Sequence, residues 1–499
     1  MVRPRLILIT YPAQGHINPT LQFSKRLAAA GADVTFLIPL SARRRMAMSS
    51  GREPDPETVA PNGSVVSFAT FSVDGYDDGF KPGGDIKHYT SETMRCGAQA
   101  VSELVVSARN DGRPYSCLIY TLLLPWAGLT AEELGLPSVM LWIQPATVFD
   151  VYYYYFHGYG DIIRETMKRQ ASAASKTTLP ELSLEFARGD LPSFMDEEDT
   201  FSFVISFFEE QFEVFKKMNR PRILVNTFDE LEAEALRAVS DLSLIGIGPL
   251  IPSAFLDEKG PFDMSLFSGD IFRRSEDKYI EWLNSQPKAK VVYVSFGSLL
   301  DWPKQQMEEI ARGLLTFGRP FLWVIREKVG NDNEKVENDK GDEELSCREE
   351  LEKLGMIVPW CSQVEVLSSE SLGCFVTHCG WNSTLESLAL GVPMVAFPKW
   401  ADQGTNAKLI EEVWKTGVRV KPNEDGIVQS EEIKRCLELV MGGSTENGVE
   451  SGKAIMRRNA KKWKELARES VKEGGSSYKN LKAFVAEMIH EADRKSFLE

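Results

Sequence analysis

Residues 360–403 read WCSQVEVLSSESLGCFVTHCGWNSTLESLALGVPMVAFPKWADQ, and they give the clearest indication of how the chain folds. An apolar run from Cys374 to Val376 is followed by a corner of small residues, Thr377 to Gly380, and by an amphipathic run that ends at Gly391. This order predicts a buried strand, a tight turn and a helix. The first turn of a helix has backbone N–H groups without intrahelical partners and a partial positive charge. The corner is therefore expected to bind an anion, typically a phosphate.

Several polar side chains surround this corner. His378 precedes the predicted helix, and Trp381, Asn382 and Ser383 lie in the turn or in the first helical turn. Their donors can converge on one anion, so the corner fits a diphosphate. Glu386 lies four residues after Asn382, where its carboxylate can accept two ribose hydroxyls.

Three polar or aromatic residues close the stretch. Trp400, Asp402 and Gln403 follow an apolar strand candidate over residues 393–397. They supply an aromatic wall, an acceptor, and a side chain that both donates and accepts, which are the groups that a hexose requires. A single His or Trp is more often a packed core residue than a ligand. Because so many such residues occur in one register, the pattern favours a ligand site.

The stretch resembles the signature box of plant family 1 UDP-sugar-dependent glycosyltransferases. It opens on Trp, closes on Asp-Gln, has the family's length of 44 residues and carries HCGWNS in the middle. The resemblance implies that Trp360 stacks on uracil and that the backbone of Cys361 pairs with it. It also implies that Gln363 and Glu386 hold the ribose.

The resemblance further implies which residues hold the diphosphate and the sugar. The diphosphate ligands would be His378, Asn382, Ser383 and, from the turn after an earlier strand, Ser298. The sugar ligands would be Trp381, Asp402 and Gln403. In the family a final Gln in this box is associated with glucose rather than galactose donors.

The N-terminal part holds a candidate base. A predicted strand, Leu6 to Thr10, is followed by YPAQGHINP and by a predicted helix from Thr20 to Ala30, with Asn18 as its N-cap. His16 then lies in a loop at the carboxyl end of the strand, where open α/β sheets place ligands. A nearby helix N-terminus disfavours the protonated ring, and a neutral imidazole can act as a general base. The GHxNP motif matches the one that carries the catalytic His of the resembled family.

One position departs from the family pattern. Many members have an Asp partner for the catalytic His within the segment that corresponds to residues 116–128, and here Thr121 occupies that position. A hydroxyl can orient His16 but supplies no counter-charge. Carboxylic acids are ionised at pH 7 whereas phenols of pKa about 10 are not, so the change slightly favours acidic acceptors without excluding flavonoids. The resemblance also implies that His16, Gln144 and Ala401 contact the acceptor.

Composition limits the classes of protein. The chain has 499 residues, of which 43% are hydrophobic and 26% charged, as expected for a soluble globular protein of two domains. Its net charge of −15 argues against a nucleic-acid or anionic-membrane partner. Seven Cys without CxxC spacing indicate reduced thiols in a cytoplasmic protein and no metal site. No apolar segment of about 18 residues occurs, so no membrane span is expected.

Alternating strand and helix patterns predict an α/β fold of two doubly wound domains. The predicted division is an acceptor-binding domain over 1–250, a linker over 251–274, a UDP-sugar-binding domain over 275–475, and a terminal helix over 476–499. The resemblance implies that this helix packs back on the first domain. The resemblance implies the GT-B fold, in which two Rossmann-like domains face across a cleft.

These observations lead to one functional hypothesis. The chain would be an inverting, metal-free, monomeric glucosyltransferase that uses UDP-glucose. Segments such as YTLLLPW and GRPFLWVIR are similar to the crocetin and anthocyanin 5-O-glucosyltransferase subgroup. The acceptor would be a flavonoid or anthocyanin phenol, or an apocarotenoid or hormone carboxylic acid, and the product a β-glucoside or a glucose ester.

Two alternative functions belong to other classes of protein. An NAD-dependent oxidoreductase needs GxGxxG after the first strand, and YPAQGHINP lacks it. A non-catalytic UDP-sugar-binding protein would keep the 360–403 stretch and would tolerate the loss of His16.

Overall fold

The computed structural model describes residues 3–50, 55–81, 84–168, 176–218, 221–256, 278–299, 302–326, 345–442 and 451–496, without the side chains of residues 50 and 491–496. It divides into two compact units. The first comprises Met1–Arg273 and Ala467–Glu499, and the second Arg274–Leu466. Most of the predicted linker, residues 257–274, lies outside the described residues, so its extent stays a prediction.

The first unit is built on an eight-stranded sheet with the order β10-β9-β6-β5-β1-β2-β4-β3, and β7 and β8 form a separate pair. All neighbours in the large sheet are parallel except β3 and β4. The strands are β1 (Arg5–Ile9), β2 (Asp33–Pro39), β3 (Glu57–Val59), β4 (Val65–Phe71), β5 (Cys117–Thr121), β6 (Ser138–Trp142), β7 (Thr177–Thr178), β8 (Glu185–Phe186), β9 (Arg222–Val225) and β10 (Ser243–Gly246).

Eight α-helices accompany this sheet along the described residues before 257. They are α1 (Gln14–Ala29), α2 (Leu40–Ser50), α3 (Ile86–Asn110), α4 (Pro125–Glu133), α5 (Ala146–Tyr154), α6 (Gly160–Lys168), α7 (Ile205–Lys217) and α8 (Ala235–Ala238). A π-helical turn joins α5 to α6 over Tyr155–Tyr159. The central strands β1 and β5 are nearly continuous apolar runs, as expected of parallel strands covered on both faces.

Helix α1 corrects one prediction. It begins at Gln14 with Ala13 as its N-cap, rather than at Thr20, and it contains Pro19. His16 therefore lies in the first turn of the helix and not in a loop. Proline lacks an N–H, so Pro19 gives up one helical hydrogen bond without breaking the helix. The Thr20 hydroxyl donates to the His16 carbonyl oxygen at 2.6 Å and ties this turn together.

The second unit has a six-stranded parallel sheet with the order β13-β12-β11-β14-β15-β16. The strands are β11 (Val291–Ser295), β12 (Phe321–Val324), β13 (Met356–Val358), β14 (Leu372–Thr377), β15 (Met394–Ala396) and β16 (Gly417–Arg419). This is the 3-2-1-4-5-6 order of a doubly wound dinucleotide-binding sheet. The order reverses between β11 and β14, and ligands bind outside the carboxyl ends of the strands at such a point.

The remaining helices follow in chain order. They are α9 (Lys278–Ser285), α10 (Lys304–Phe317), α11 (Arg348–Leu354), α12 (Gln363–Ser368), α13 (Trp381–Leu390), α14 (Gln403–Lys408), α15 (Ser430–Met441), α16 (Gly452–Val471) and α17 (Ser476–Ser496). The predicted strand, turn and helix of the 360–403 stretch are present as β14 and α13, and Gly391 caps α13 in the left-handed conformation. Among the described helices, none has both the length and the hydropathy that crossing a membrane requires.

Helix α17 packs on the first unit. Asn480 Nδ2 donates to the Gly246 carbonyl oxygen at 2.8 Å, and Ser477 Oγ donates to that of Gly248. Phe484, Val485 and Met488 are buried on the same helix. The apolar stripe of α17 is therefore part of the core of the first unit.

Candidate active site

The point where the second sheet reverses its order holds His378, which directly follows β14. Its ring lies between two glycines. A Cβ atom added at Gly297 would come within 2.6 Å of His378 Nε2, and one added at Gly380 within 2.5 Å. Gly297 also has a φ of +78°, which favours glycine. The turns after β11 and β14 thus depend on glycine to enclose the imidazole.

His378 is held neutral at physiological pH. Burial lowers its pKa to about 4, the Ser295 carbonyl acts in the opposite direction, and the Arg326 charge lowers the pKa further. Within the described residues, Nδ1 is enclosed without a hydrogen-bond partner. A neutral imidazole N–H can still donate to a phosphate oxygen.

Arg326 brings a positive charge to this point from just beyond β12. Its Nη1 donates to the Ser298 carbonyl oxygen, so it holds the turn that carries Ser298 after β11. Sequence reasoning missed Arg326. Its position was the available signal, because an Arg two residues beyond a buried central strand falls at the edge of the sheet where ligands bind.

The predicted ribose ligands lie together. Gln363 Nε2 donates to Glu386 Oε2 at 2.7 Å and to Ser383 Oγ at 2.9 Å, which joins the start of α12 to the first turns of α13. Ser383 is 6% exposed, so only a small part of it faces solvent. Asn382 lies beside it in the first turn of α13. The Gln363 amide and the Glu386 carboxylate therefore hold one another in place.

Two tyrosines, Tyr293 and Tyr279, hold the segment between β13 and α12 in place. Trp360 is half-buried, whereas Cys361 is buried with its Sγ 3.6 Å from the Tyr293 hydroxyl. The Tyr279 hydroxyl accepts from the Ser362 backbone N–H at 3.3 Å and donates to Glu365 at 3.0 Å. These contacts order the backbone at Cys361, which the resemblance implies pairs with the uracil of the donor.

The predicted sugar ligands are tied to the corner after β14. Asn406 Nδ2 donates both to Asp402 Oδ2 at 2.7 Å and to the Cys379 carbonyl oxygen at 2.8 Å. Burial raises the pKa of Asp402 to about 6, against the effect of Asn406. Gln403 Oε1 accepts from the backbone N–H groups of Lys399 at 2.9 Å and Trp400 at 3.2 Å. Both side chains therefore have fixed orientations.

Two further predicted ligands occupy different surroundings. The Trp381 side chain is 3% exposed, and its ring centroid lies 5.9 Å from that of Trp414. The indole of Trp381 is therefore part of the core of the second unit. Ala401 is half-buried, with a positive φ of 54°.

In the first unit, His16 is enclosed in the first turn of α1. Its ring centroid lies 5.4 Å from that of Tyr11, and within the described residues its Nδ1 has no hydrogen-bond partner. Burial lowers its pKa to about 4, so the ring is neutral at pH 7. Gln144, which follows β6, also has an enclosed Oε1 without a partner in the described part of the chain.

Thr121 does not take the place of the family's Asp in the hydrogen bonding of His16. It is the last residue of β5, and its hydroxyl lies 3.3 Å from the Thr10 hydroxyl and accepts from the Tyr11 N–H at 3.3 Å. Thr20 donates to Thr10 at 3.3 Å and completes a buried cluster of three hydroxyls. Thr121 thus joins β5 to the end of β1, while no described hydrogen bond links it to His16.

One group of side chains could be mistaken for a metal site. Ligand atoms of Asp74, Glu92 and Cys96 lie close together in the first unit. Arg95, however, donates to both carboxylates, and Asp74 is exposed. The arrangement is therefore a surface ion-pair network.

Comparison with known proteins adds independent information. A family model described as "UDP-glucoronosyl and UDP-glucosyl transferase" matches residues 267–450. Phloretin 4'-O-glucosyltransferase of Malus domestica is 60% identical, over 97% of this chain and 98% of the relative. Crocetin glucosyltransferase, chloroplastic, of Gardenia jasminoides is 55% identical over 97% and 98%. Anthocyanidin 3-O-glucoside 5-O-glucosyltransferase 1 of Perilla frutescens is 49% identical over 97% and 99%.

Solved structures show the same architecture. Os79 from O. sativa, in complex with UDP, is 33% identical, with a TM-score of 0.78 over 97% of this chain and 100% of that one. UGT2 of Phytolacca americana, complexed with UDP-2fluoro-glucose and pterostilbene, is 23% identical, with a TM-score of 0.75 over 98% and 99%. At that identity the second likeness shows the fold alone.

Proposed function

The chain belongs to the plant family 1 UDP-glycosyltransferases, near the crocetin and anthocyanin 5-O-glucosyltransferases, and we propose that it transfers glucose from UDP-glucose, with inversion, to an oxygen of a small plant metabolite. It is a UDP-glycosyltransferase with the α/β GT-B fold that the sequence predicts.

The observation that carries the donor assignment is the corner between β14 and α13. A neutral His378 is enclosed by Gly297 and Gly380 at a helix N-terminus, in a sheet whose order reverses at that point. Gln363 and Glu386 lie next to this corner with the polarity that ribose hydroxyls require. A relative of this fold solved with UDP supports the same assignment.

In the proposed reaction, the acceptor oxygen attacks the anomeric carbon of UDP-α-glucose from the face opposite UDP. A bond forms between this carbon and the acceptor oxygen, and its bond to the diphosphate oxygen breaks, which gives a β-glucoside. His16 takes the proton of a hydroxyl acceptor. The leaving diphosphate gains charge that the N-terminus of α13, with His378, Asn382 and Ser383, stabilises together with Ser298.

The electrostatics of His16 bear on the acceptor. Because burial lowers its pKa to about 4 and no carboxylate bonds to it in the described residues, the imidazolium is poorly stabilised. A carboxylate acceptor needs no deprotonation at pH 7, and an acidic phenol needs little. We therefore propose as acceptors phenols of flavonoids or anthocyanins and the carboxyl groups of apocarotenoid or hormone acids. Gln144 and Ala401 are proposed to contact them.

We propose that transfer needs no metal, that the chain acts as a monomer, and that it works in the cytoplasm. Trp360 and Cys361 are proposed to hold uracil, and Asp402 and Gln403 the glucose, with Trp381 contributing through its backbone.

The test is a UDP-release assay with UDP-glucose and a panel of phenols and carboxylic acids. We expect turnover with several members, β-linked products, and cleavage by mild alkali for esters only. His16→Ala should reduce kcat with a phenol by at least about a hundredfold, and His490→Ala, at an exposed His on α17, serves as the control. UDP binding without turnover on any acceptor would contradict the proposal, and equal turnover by His16→Ala would remove His16 as the base.

A further inference from the structure

A second cation, Arg45, lies near His16 in the first unit. Helix α2 begins at Leu40, directly after β2, and Arg45 is in its second turn. Arg45 Nη2 donates to the Pro12 carbonyl oxygen at 3.3 Å, in the short segment between β1 and α1. Since β1 and β2 are parallel neighbours, this contact lies at the carboxyl ends of both strands, where the His16 turn begins.

The guanidinium of Arg45 has an unfilled donor. Its Nε is enclosed and has no hydrogen-bond partner among the described residues, and no carboxylate of that part of the chain forms an ion pair with it. The neighbouring Arg44 differs, because it is exposed and pairs with Asp78 at 3.1 Å. Enclosed charges in proteins are normally paired, since an unpaired one carries a desolvation cost.

The side chains around Arg45 do not balance its charge. Burial lowers the pKa of Arg45, which the nearby Tyr89 and Tyr11 hydroxyls oppose. Burial also raises the pKa of Tyr11 to about 12, so Tyr11 is an uncharged phenol at pH 7. A half-buried cation whose neighbours are neutral and whose Nε–H has no partner in the described residues is suited to an anionic ligand.

The position of Tyr11 connects this cation to the predicted base. The Tyr11 ring lies 5.4 Å from the His16 ring, and the next residue, Pro12, accepts from Arg45 Nη2 at 3.3 Å through its carbonyl oxygen. A small acceptor whose reacting oxygen lies at His16 would therefore extend past Tyr11 towards Arg45. The edge of a guanidinium that carries Nε presents two parallel N–H groups, which match a carboxylate better than a single phenolate oxygen.

We propose that Arg45 forms an anion subsite of the acceptor pocket and binds an acceptor carboxylate that is not the reacting group. This inference rests on the proposed function, because it assumes that acceptors bind beside His16. It predicts a preference for acceptors that carry a phenol at one end and a carboxylate at the other.

The test compares two acceptors that differ only in this charge, 4-coumarate and its carboxamide, each glucosylated at the phenol. In the native chain we expect a lower KM for the acid. Arg45→Gln should raise the KM for the acid roughly ten- to hundredfold and that for the amide less than about twofold, with the KM for UDP-glucose unchanged. Arg44→Gln is the matched control and should change none of these values.

Three outcomes would overturn the subsite. Arg45→Gln could raise the KM for the acid and for the amide equally, which indicates a structural role, or it could raise neither. Arg44→Gln could also raise the KM for the acid as much as Arg45→Gln does. If Arg45→Gln fails to fold, Arg45→Lys is tested instead, because lysine keeps the positive charge but lacks the two parallel N–H groups of the guanidinium. It should raise the KM for the acid alone.

Calorimetric titration with 4-coumarate separates this inference from the proposed function. If no acceptor is turned over, the proposed function fails, but binding that is lost in Arg45→Gln and kept in Arg44→Gln still supports the subsite. Equal binding by all three chains, or no binding by the native chain, overturns it.

Discussion

His16 and His378 share an electrostatic property that decides their protonation. Each ring is enclosed, and burial lowers each pKa to about 4. Among the described residues, neither ring forms an ion pair with a carboxylate. Both imidazoles are therefore neutral across physiological pH, one as a proposed proton acceptor and the other as a proposed donor to phosphate.

Histidine titration tests this directly. With ¹³C-labelled histidine, the His16 and His378 signals, assigned with the His16→Ala and His378→Ala variants, should remain neutral down to about pH 5. Since both folded-state pKa values lie below the unfolded value of about 6.5, these groups contribute stability above pH 6.5 that is lost as the pH falls towards 4. A midpoint at pH 6 or above for either ring would show that the burial does not persist in solution.

Gly297 allows a second test at the residue scale. Gly297→Ala places a Cβ 2.6 Å from His378 Nε2, at a φ of +78°. Gly318→Ala is the control, because its φ is +70° and the nearest atom that its Cβ would meet, Leu315 O, is 3.9 Å away. Both variants should lose about 1 kcal/mol of stability from the backbone.

Only Gly297→Ala should also displace His378. We expect its Kd for UDP, measured by calorimetry, to rise by about tenfold or more, since at least one phosphate donor is moved. Unchanged UDP affinity in Gly297→Ala would argue against a diphosphate at this corner.

At the scale of elements, helix α5 combines a capped start with an unpaired acid. Glu232 accepts from the backbone N–H groups of Ala146 and Thr147, both at 3.0 Å. One turn further, Asp150 is fully buried, and neither of its carboxylate oxygens has a partner in the described residues. Burial, together with the charge of Glu232, raises the pKa of Asp150 well above its usual value.

This acid makes the stability of the chain dependent on pH. The unfolded chain loses the Asp150 proton near pH 4 whereas the folded chain keeps it, so stability falls as the pH rises above 4. Asp150→Asn should raise the free energy of unfolding by roughly 2 kcal/mol at pH 8, with a smaller gain at pH 5, measured by calorimetry. Asp190→Asn is the control, because the buried Asp190 already accepts from the Ala187 N–H. A destabilised Asp150→Asn would show that the ionised carboxylate is needed.

The sequence predicted the elements whose residues follow one local pattern. The apolar run and the small-residue corner before Trp381 identified β14 and α13, because burial and helix start depend there on neighbouring residues. The start of α1 was missed because Pro19 suits a first helical position, whereas contacts of the whole turn allow it inside the helix. Arg45 was missed because its surroundings are formed by groups that are distant in sequence, whereas Arg326 was missed although its position just beyond β12 was a local signal.

At the scale of the whole chain, α17 links the last residues to the first sheet. Met488 is fully buried in the first unit, and Lys482 on the same helix is exposed. We expect Met488→Ala to lower the free energy of unfolding of the first unit by about 2–5 kcal/mol, and Lys482→Ala to change it by less than about 0.5 kcal/mol.

Calorimetry measures the stability of the Met488→Ala variant, and UDP titration measures its donor binding. Thermal unfolding should show the loss, while the Kd for UDP should be unchanged in Met488→Ala, because the proposed UDP ligands all belong to the second unit. A weakened UDP affinity with unchanged unfolding would show that α17 supports the second unit instead. No local pattern predicts this pairing, since Asn480 and Gly246 are 234 residues apart.

The composition of the first unit from two separate stretches, Met1–Arg273 and Ala467–Glu499, has a consequence for biosynthesis. A nascent chain emerging from the ribosome at about 5–20 residues per second presents the whole of the second unit before α17 exists. The first unit, which begins to emerge first, is thus completed last. Until then, the part of the first unit near Gly246 that α17 later contacts is accessible to chaperones, and Phe484 and Met488 are not yet there to be buried.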